Sequence, residues 1–187
     1  MRTASGPAGL WLSLWPREAD SAPPGPELLR AAKVALMRIL ASLAELPPLV
    51  GQEVAVSDWM TITQEQVDLF AQATGDHQWI HVDVEKAKAG PFGGPIAHGF
   101  LTLSLLPRIF DSALHVEGTR MGVNYGLNKV RFTAPVPVGS RVRGRMVLLA
   151  CDPVEGNGMQ MNWQVTVELE GSARPACVAE SITRRYA

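Results

Sequence analysis

Apolar and polar residues alternate strictly near the end of the chain. Met159, Met161, Trp163, Val165, Val167 and Leu169 fall on one face, and Gln160, Asn162, Gln164, Thr166, Glu168 and Glu170 on the other. A period of two is that of a half-buried strand. Val142, Met146, Leu148 and Ala150 alternate in the same way with polar or small positions. The turn-like residues 152–158 between the two runs predict an antiparallel hairpin, which a last strand near residues 176–183 would join. Residues 96–114 follow another pattern. Ile96, Ala97, Phe100, Leu101, Leu103, Leu105, Leu106, Ile109 and Phe110 leave no polar face, which predicts a helix buried all round. Pro107 removes a backbone donor and crowds the preceding turn, so it should bend that helix or end its first half.

Upstream, Thr63 and Gln66 have the spacing of a capping box. Val67, Phe70, Ala71 and Thr74 share one helical face, and Gly75 suits the stop, leaving Asp76 just past a helix end. A short helix is expected over residues 84–89, with Asp83 as its N-cap and Gly90 after it. Helical spacing of Leu29, Ala32, Leu36, Ile39, Leu40 and Leu43 suggests an added helix over residues 27–43. Residues 1–26 are rich in Gly, Pro, Ala and Ser without periodicity and read as an unpacked tail. Residues 1–36 are thus read as an extension, disordered then partly helical, or a misassigned start, and residues 37–187 as one domain. A buried helix followed by antiparallel strands with one apolar face predicts an α+β domain whose sheet curls around the helix.

Composition narrows the function classes. The 187 residues carry a formal net charge of -1, which offers no electrostatic footprint for nucleic acid or a membrane surface. The two cysteines, Cys151 and Cys177, lie in strand-like stretches and suggest reduced core thiols rather than disulfides or a metal cluster. Arg2 and the brief apolar patch Leu10, Trp11, Leu12, Leu14 and Trp15 resemble a weak signal peptide. Ser13 interrupts the patch, and Pro16, Arg17 and Glu18 follow it without a small-residue cleavage site. No apolar run is long enough to span a bilayer, so the protein is expected in the cytoplasm.

Chemistry-bearing residues crowd into Ala73-Thr74-Gly75-Asp76-His77-Gln78-Trp79-Ile80-His81-Val82-Asp83 and Ile96-Ala97-His98-Gly99-Phe100, which hold three of the four histidines. Asp76 and His81, five positions apart in an irregular segment, can converge on one water: the imidazole accepts its proton while the carboxylate orients it. Gly99 stands where the buried helix begins. Its N–H lacks an intrahelical acceptor and could polarise a carbonyl oxygen with help from the helix dipole. A lone Asp after a helix is more often a turn residue, and a lone His near an apolar segment a structural one. His77 and His98 stay outside the catalytic set, and His115, beyond the buried helix, reads as a surface or C-cap residue.

Residues 70–81, the His98-Gly99 helix entry and Asn124-Tyr125-Gly126-Leu127-Asn128-Lys129-Val130-Arg131-Phe132 are similar to the MaoC-like (R)-specific enoyl-CoA hydratases, in particular their nodulation protein N-like branch. The resemblance covers about residues 37–187. It implies a hotdog fold, a homodimer, and addition of water to a trans-2-enoyl thioester to give the (3R)-hydroxyacyl thioester, or the reverse dehydration. The substrate would be an acyl-CoA or an acyl-carrier thioester. No metal or redox cofactor is implied, coenzyme A being part of the substrate. By position Asp76 and His81 match the family's catalytic pair, and Gly99 the glycine whose N–H holds the thioester oxygen. Gln78-Trp79 stands where many members have Asn-Pro, and Pro107 where some have a serine, departures that bear on acyl-chain preference.

Asn128 and His98 are candidate substrate-binding residues. Against this, polar residues before a strand, such as Asn124, Tyr125 and Asn128, are often turn formers, and His98 could instead stabilise the helix entry. Arg131, Arg141, Arg143 and Arg145 could meet phosphates, but alternating arginines are more often a solvated strand face, a reading preferred for at least two of them. The alternatives to a hydratase are a hotdog thioesterase and a non-catalytic acyl-thioester binding subunit.

Overall fold

A computed structural model describes residues 37–187. The expectations for residues 1–36 lie outside the described residues. The predicted hairpin forms from β6 (Arg141–Val154) and β7 (Gly158–Leu169), paired antiparallel. Its turn is shorter than expected: residues 152–154 continue the strand, and Gly156 and Asn157 reverse the chain with φ of 81° and 58°. Val142, Met146 and Leu148 of β6, and Met161, Trp163, Val165 and Val167 of β7, face the core. The last strand, β8 (Cys177–Tyr186), pairs with β7 on one side and with β5 (Met121–Phe132) on the other. Two short strands, β2 (Glu53–Val56) and β3 (Met60–Thr61), pair with β6. The result is a six-stranded antiparallel sheet of order β2-β6-β7-β8-β5, with β3 also on β6.

Helices lie on one face of this sheet. The stretch expected as one long helix is two: α4 (Gly99–Ser104) and α5 (Leu106–Ala113), divided at Leu105, with Pro107 in the first turn of the second. Pro107 thus ends the first half, because it can neither donate to that turn nor fit against it. Ile109, Phe110 and Ala113 of α5 enter the core, and Phe110 meets Trp163 edge to face, with ring centroids 5.4 Å apart. Gly144 makes the close approach possible, since a Cβ there would overlap the Ile109 side chain. The helix is not buried all round, however, because Phe100 is 68% exposed.

The helix expected through residues 37–43 is not formed. Those residues begin with strand β1 (Arg38–Leu40), which pairs in parallel with β4 (Leu114–Val116), followed by two 3-10 turns, Leu43–Glu45 and Pro47–Leu49. Leu40, Leu43 and Leu46 are all buried. Burying each contributes roughly 1.5–3 kcal/mol, more than the differences in helix propensity among ordinary residues, about 0.7 kcal/mol at most. A partner distant in sequence therefore decides the local conformation. Among the described residues no helix is long and apolar enough to cross a membrane.

Candidate active site

The capping box at Thr63 is complete: its Oγ1 accepts from the Gln66 N–H at 3.2 Å, and the Gln66 side chain accepts from the Thr63 N–H at 3.0 Å. Helix α1 (Gln64–Thr74) ends at Gly75, whose φ of 79° turns the chain out of the helix and sets Asp76 in an exposed loop. Beyond it, the segment expected to be irregular contains a one-turn helix, α2 (Trp79–Val82), which carries His81. The short α3 (Val84–Lys88) follows, with Asp83 accepting from the Lys86 N–H as foreseen. The Trp79 ring lies against Gly90, where a Cβ would come within 2.9 Å of it.

His81 is buried, 6% exposed, and its Nδ1 lies 2.7 Å from the Ile96 carbonyl oxygen. A carbonyl can only accept, so Nδ1 carries the ring proton and Nε2 keeps its lone pair as an acceptor. The backbone on both sides is pinned. Ile96 N–H donates to the Ile80 carbonyl at 3.0 Å, and the Gln64 side chain donates to the His81 carbonyl at 2.9 Å. Burial is the main cause that pushes the His81 pKa below its ordinary value. The bond to Ile96 opposes the shift, His98 adds to it, and Asp76 opposes it.

His98 precedes α4 and is 2% exposed. Its Nε2–H donates to the Asp76 backbone carbonyl at 2.9 Å. Its ring stacks on His81, centroids 3.8 Å apart at 27°, and tilts against Phe70 at 5.0 Å. Asp76, His81 and His98 each bring one ligating atom to within 4.8 Å of the others, a spacing within reach of a metal ion. Stacked rings keep their lone pairs in nearly parallel planes, though, so the two imidazoles do not both aim at one ion. The arrangement therefore favours proton handling over shared ligation.

Gly99 is the first residue of α4, so its N–H has no acceptor one turn back within the helix. It lines a cavity of about 330 Å3 together with His81, Phe92, Ala97, Phe132 and Val136. A Cβ on Gly99 would stand 2.8 Å from the Phe132 ring, so only glycine permits this close approach. The cavity is thus mainly apolar, with a basic ring nitrogen, a backbone donor and the nearby Asp76 carboxylate. Such a site can move a proton to or from a ligand that also presents a carbonyl oxygen.

The other expected residues lie elsewhere. Asn124, Tyr125 and Asn128 are within β5 rather than in a turn before it. Asn128 is exposed at a register irregularity and does not line this cavity, nor does the buried His98. His115 is exposed in β4, and His77 is exposed in the Asp76 loop. Arg141 pairs with Glu170, Arg143 with Glu168 and Arg145 with Glu53, across neighbouring strands. This is the solvated-face reading for those three, while Arg131 is exposed and bonds the Val130 carbonyl. Burial raises the Cys177 thiol to about 11 and also raises Cys151, with Asp152 adding to the latter, so neither is poised as a nucleophile. A larger cavity, about 460 Å3, lies between α5 and the start of β5. Its Arg184 is engaged by Gln160 and the Tyr125 ring, and its Asp111 acts on Arg185. Gln64, Phe92 and Phe132, all close to His81 or Gly99, carried no distinguishing signal in the sequence beyond Phe132's place at the end of a matched segment.

Residues 45–170 match the family profile described as the MaoC like domain. The chain is 58% identical over 151 residues to 3-hydroxyacyl-thioester dehydratase Z of Mycobacterium tuberculosis, covering 81% of this chain and 100% of that protein. It is 51% identical over 144 residues to nodulation protein N of Rhizobium leguminosarum bv. viciae, covering 76% of this chain and 89% of the other. Among solved structures, the unliganded R-hydratase PhaJ1 of Pseudomonas aeruginosa superposes with a TM-score of 0.59 at 24% identity, over 79% of this chain and 86% of that one. The strand order and the helices packed on one face are those of a hotdog α+β fold.

The low His81 pKa has two consequences of one sign. Above the ordinary imidazole value, about 6.5, folded and unfolded chains both hold the neutral ring. As pH falls below it the unfolded chain takes up a proton that the fold resists, so the stability this group contributes is lost in acid. An NMR titration of the folded protein should place the His81 midpoint below 6.5, and a midpoint above it would contradict burial as the dominant cause.

Proposed function

The chain belongs to the MaoC-like domain family, and on that footing we propose that it is a hydro-lyase that adds water to trans-2-enoyl thioesters and, in reverse, dehydrates (3R)-hydroxyacyl thioesters. The observation that carries this reading is the proximity of Asp76 to the pinned ring of His81, whose Nε2 makes no bond to the Ile96 carbonyl, beside a cavity lined by both His81 and Gly99.

The geometry suits the reaction step by step. A water held between the Asp76 carboxylate and His81 Nε2 loses a proton to the imidazole as its oxygen bonds to C3. The electron pair of the C2–C3 double bond moves toward C2, and negative charge grows on the thioester oxygen. That oxygen would accept a hydrogen bond from Gly99, and in other enzymes one such donor is worth roughly 3 kcal/mol. The proton taken from water is returned to C2 from the same face. Water is consumed whole and nothing is oxidised, so Asp76, His81 and the Gly99 N–H suffice without a metal or redox cofactor. Phe92 and Phe132 supply apolar walls for the acyl group. Coenzyme A or a carrier protein would present the thioester, and the two free thiols accord with a reducing, cytoplasmic setting.

The proposal includes a homodimer. β5 is an edge strand of 12 residues, and Met121, Val123, Tyr125, Leu127 and Phe132 along it are exposed, as is Phe100 beside it. A long, exposed apolar edge is a hazard unless something pairs with it, and a second copy of the same edge would cover it with a self-complementary surface.

With crotonyl-CoA and a longer enoyl-CoA, the wild type is expected to consume the enoyl-thioester absorbance and yield the (3R) product. Asp76→Asn and His81→Gln, both folded, should be slower by roughly 100- to 10,000-fold. Release of free coenzyme A without a hydroxyacyl product would instead identify a thioesterase. For assembly, light scattering should give twice the 20.2 kDa chain mass, with Leu127→Asp shifting it toward one chain; a monomeric wild type at micromolar concentration would refute the dimer.

A further inference from the structure

His98 does not line the cavity, yet its side chain touches several parts of the site. Its Nε2–H holds the backbone carbonyl of Asp76 at 2.9 Å. One face of its ring stacks on the imidazole of His81 at 3.8 Å. Phe70 of α1 closes on the same ring at 5.0 Å, and Gly99 is the next residue in the chain. The ring is 2% exposed, its Nδ1 has no hydrogen-bond partner among the described residues, and its side chain makes no capping bond to α4. It is therefore neither a ligand contact nor a helix cap.

We propose that His98 is a positioning residue: it locks the Asp76 loop, the His81 imidazole and the Gly99 N–H into one spatial register, acting through them and never touching the substrate. The inference rests on the hydratase reading of the site. The physical need is clear. Asp76 sits in an exposed loop whose own bonds are long, its N–H to Thr74 Oγ1 and the Gln78 N–H to its Oδ1 both 3.4 Å. The His98 bond is shorter, comes from a buried group, and ties that loop to the entry of α4. His81, pinned at Nδ1 by Ile96, could still tilt about that bond, and the stacked face of His98 removes this freedom. Misplacement of a reacting group by about 1 Å can cost about 100-fold in rate, so the loss of this brace falls on turnover rather than binding.

The ionisable groups that face His81 are Asp76 from the loop after α1 and His98 from the entry of α4. Asp68 of α1 is linked to the His81 carbonyl through Gln64. Replacing His98 removes one of the influences that lower the His81 pKa and so raises it toward its ordinary value.

The test compares wild type, His98→Leu and His98→Asn with crotonyl-CoA across pH. The leucine keeps apolar bulk without a donor, and the asparagine keeps an N–H that can reach the Asp76 carbonyl. The proposal expects His98→Leu to lose about 100-fold in kcat with KM within about threefold, and the acid limb of kcat/KM to move to higher pH. His98→Asn should recover at least tenfold of the loss. A raised KM at unchanged kcat would make His98 a substrate contact. Equal losses in both variants with an unmoved acid limb would make it packing alone; either result overturns the proposal. Imidazole nitrogen NMR of His81 provides a readout free of activity. A His81 titration midpoint moved toward its ordinary value in the His98 variants supports the brace even if crotonyl-CoA is not turned over, whereas an unchanged midpoint in a folded His98→Asn or His98→Leu counts against it. If His98→Leu does not fold, the asparagine variant alone decides: a loss in kcat of no more than about tenfold, with the acid limb moved to higher pH, is required for the retained donor, and a larger loss or an unmoved limb contradicts it.

Discussion

The hydrogen bond from His81 Nδ1–H to the Ile96 carbonyl, 2.7 Å long and buried, is the constraint on which the site depends. It fixes the tautomer, and the tautomer decides whether the ring can take a proton from water at all. It is also half of a reciprocal clamp, because the Ile96 N–H bonds back to the Ile80 carbonyl. Two segments fifteen positions apart are thereby held edge to edge, and the chain leaving Ile96 reaches Gly99 and α4 in a fixed direction. Ala97 N–H bonds the Val136 carbonyl at 2.8 Å, which anchors the same lead-in to the segment after β5. Loss of one buried bond of this kind leaves two unsatisfied groups, a cost of about 1–3 kcal/mol for each.

The fold supports this clamp from below and leaves it open above. The sheet's apolar face receives α5 through Gly144 and Ile109, and Phe132 at the end of β5 lies against Gly99. Both contacts depend on the absence of a side chain at one position. They bring a strand and a helix entry close enough for the cavity wall to be part backbone donor and part aromatic ring. Burial then does the electrostatic work, since the environment that excludes water around His81 is what favours its neutral form. The exposed Asp76 carboxylate sits at the border of that environment.

Much of this was legible in the sequence, for identifiable reasons. Residues 141–169 declared their strands because a period of two admits one buried face, and the Thr63–Gln66 spacing declared α1 because a capping box acts within four residues. Asp76, His81 and Gly99 stood out because three of the four histidines crowd into the two short segments that hold them, and because those segments match a family's motifs. What stayed hidden depends on distant partners. Residues 38–40 read as helix until β4 offers a parallel edge. Asn124, Tyr125 and Asn128 read either as channel-lining residues or as turn formers, because nothing local reveals that β8 will pair with that stretch. The short α2 escaped because a single turn has no period. His98 seemed a possible substrate contact from its neighbourhood alone; only the fold turns its ring inward onto His81 and Asp76. Phe100 fits a helix buried on every side, yet the sheet covers only part of α4 and leaves that ring bare.

In the proposed reaction one water, held by Asp76 and His81 on a single side of the substrate, supplies both the oxygen at C3 and the proton at C2. Hydration of a trans-2-enoyl thioester in deuterium oxide tests it most directly, with the configuration at both carbons read from the product. The expected product is (3R), with its C2 deuterium on the same face as the new C3–O bond. Deuterium on the opposite face would require a second, separate proton donor and would contradict it.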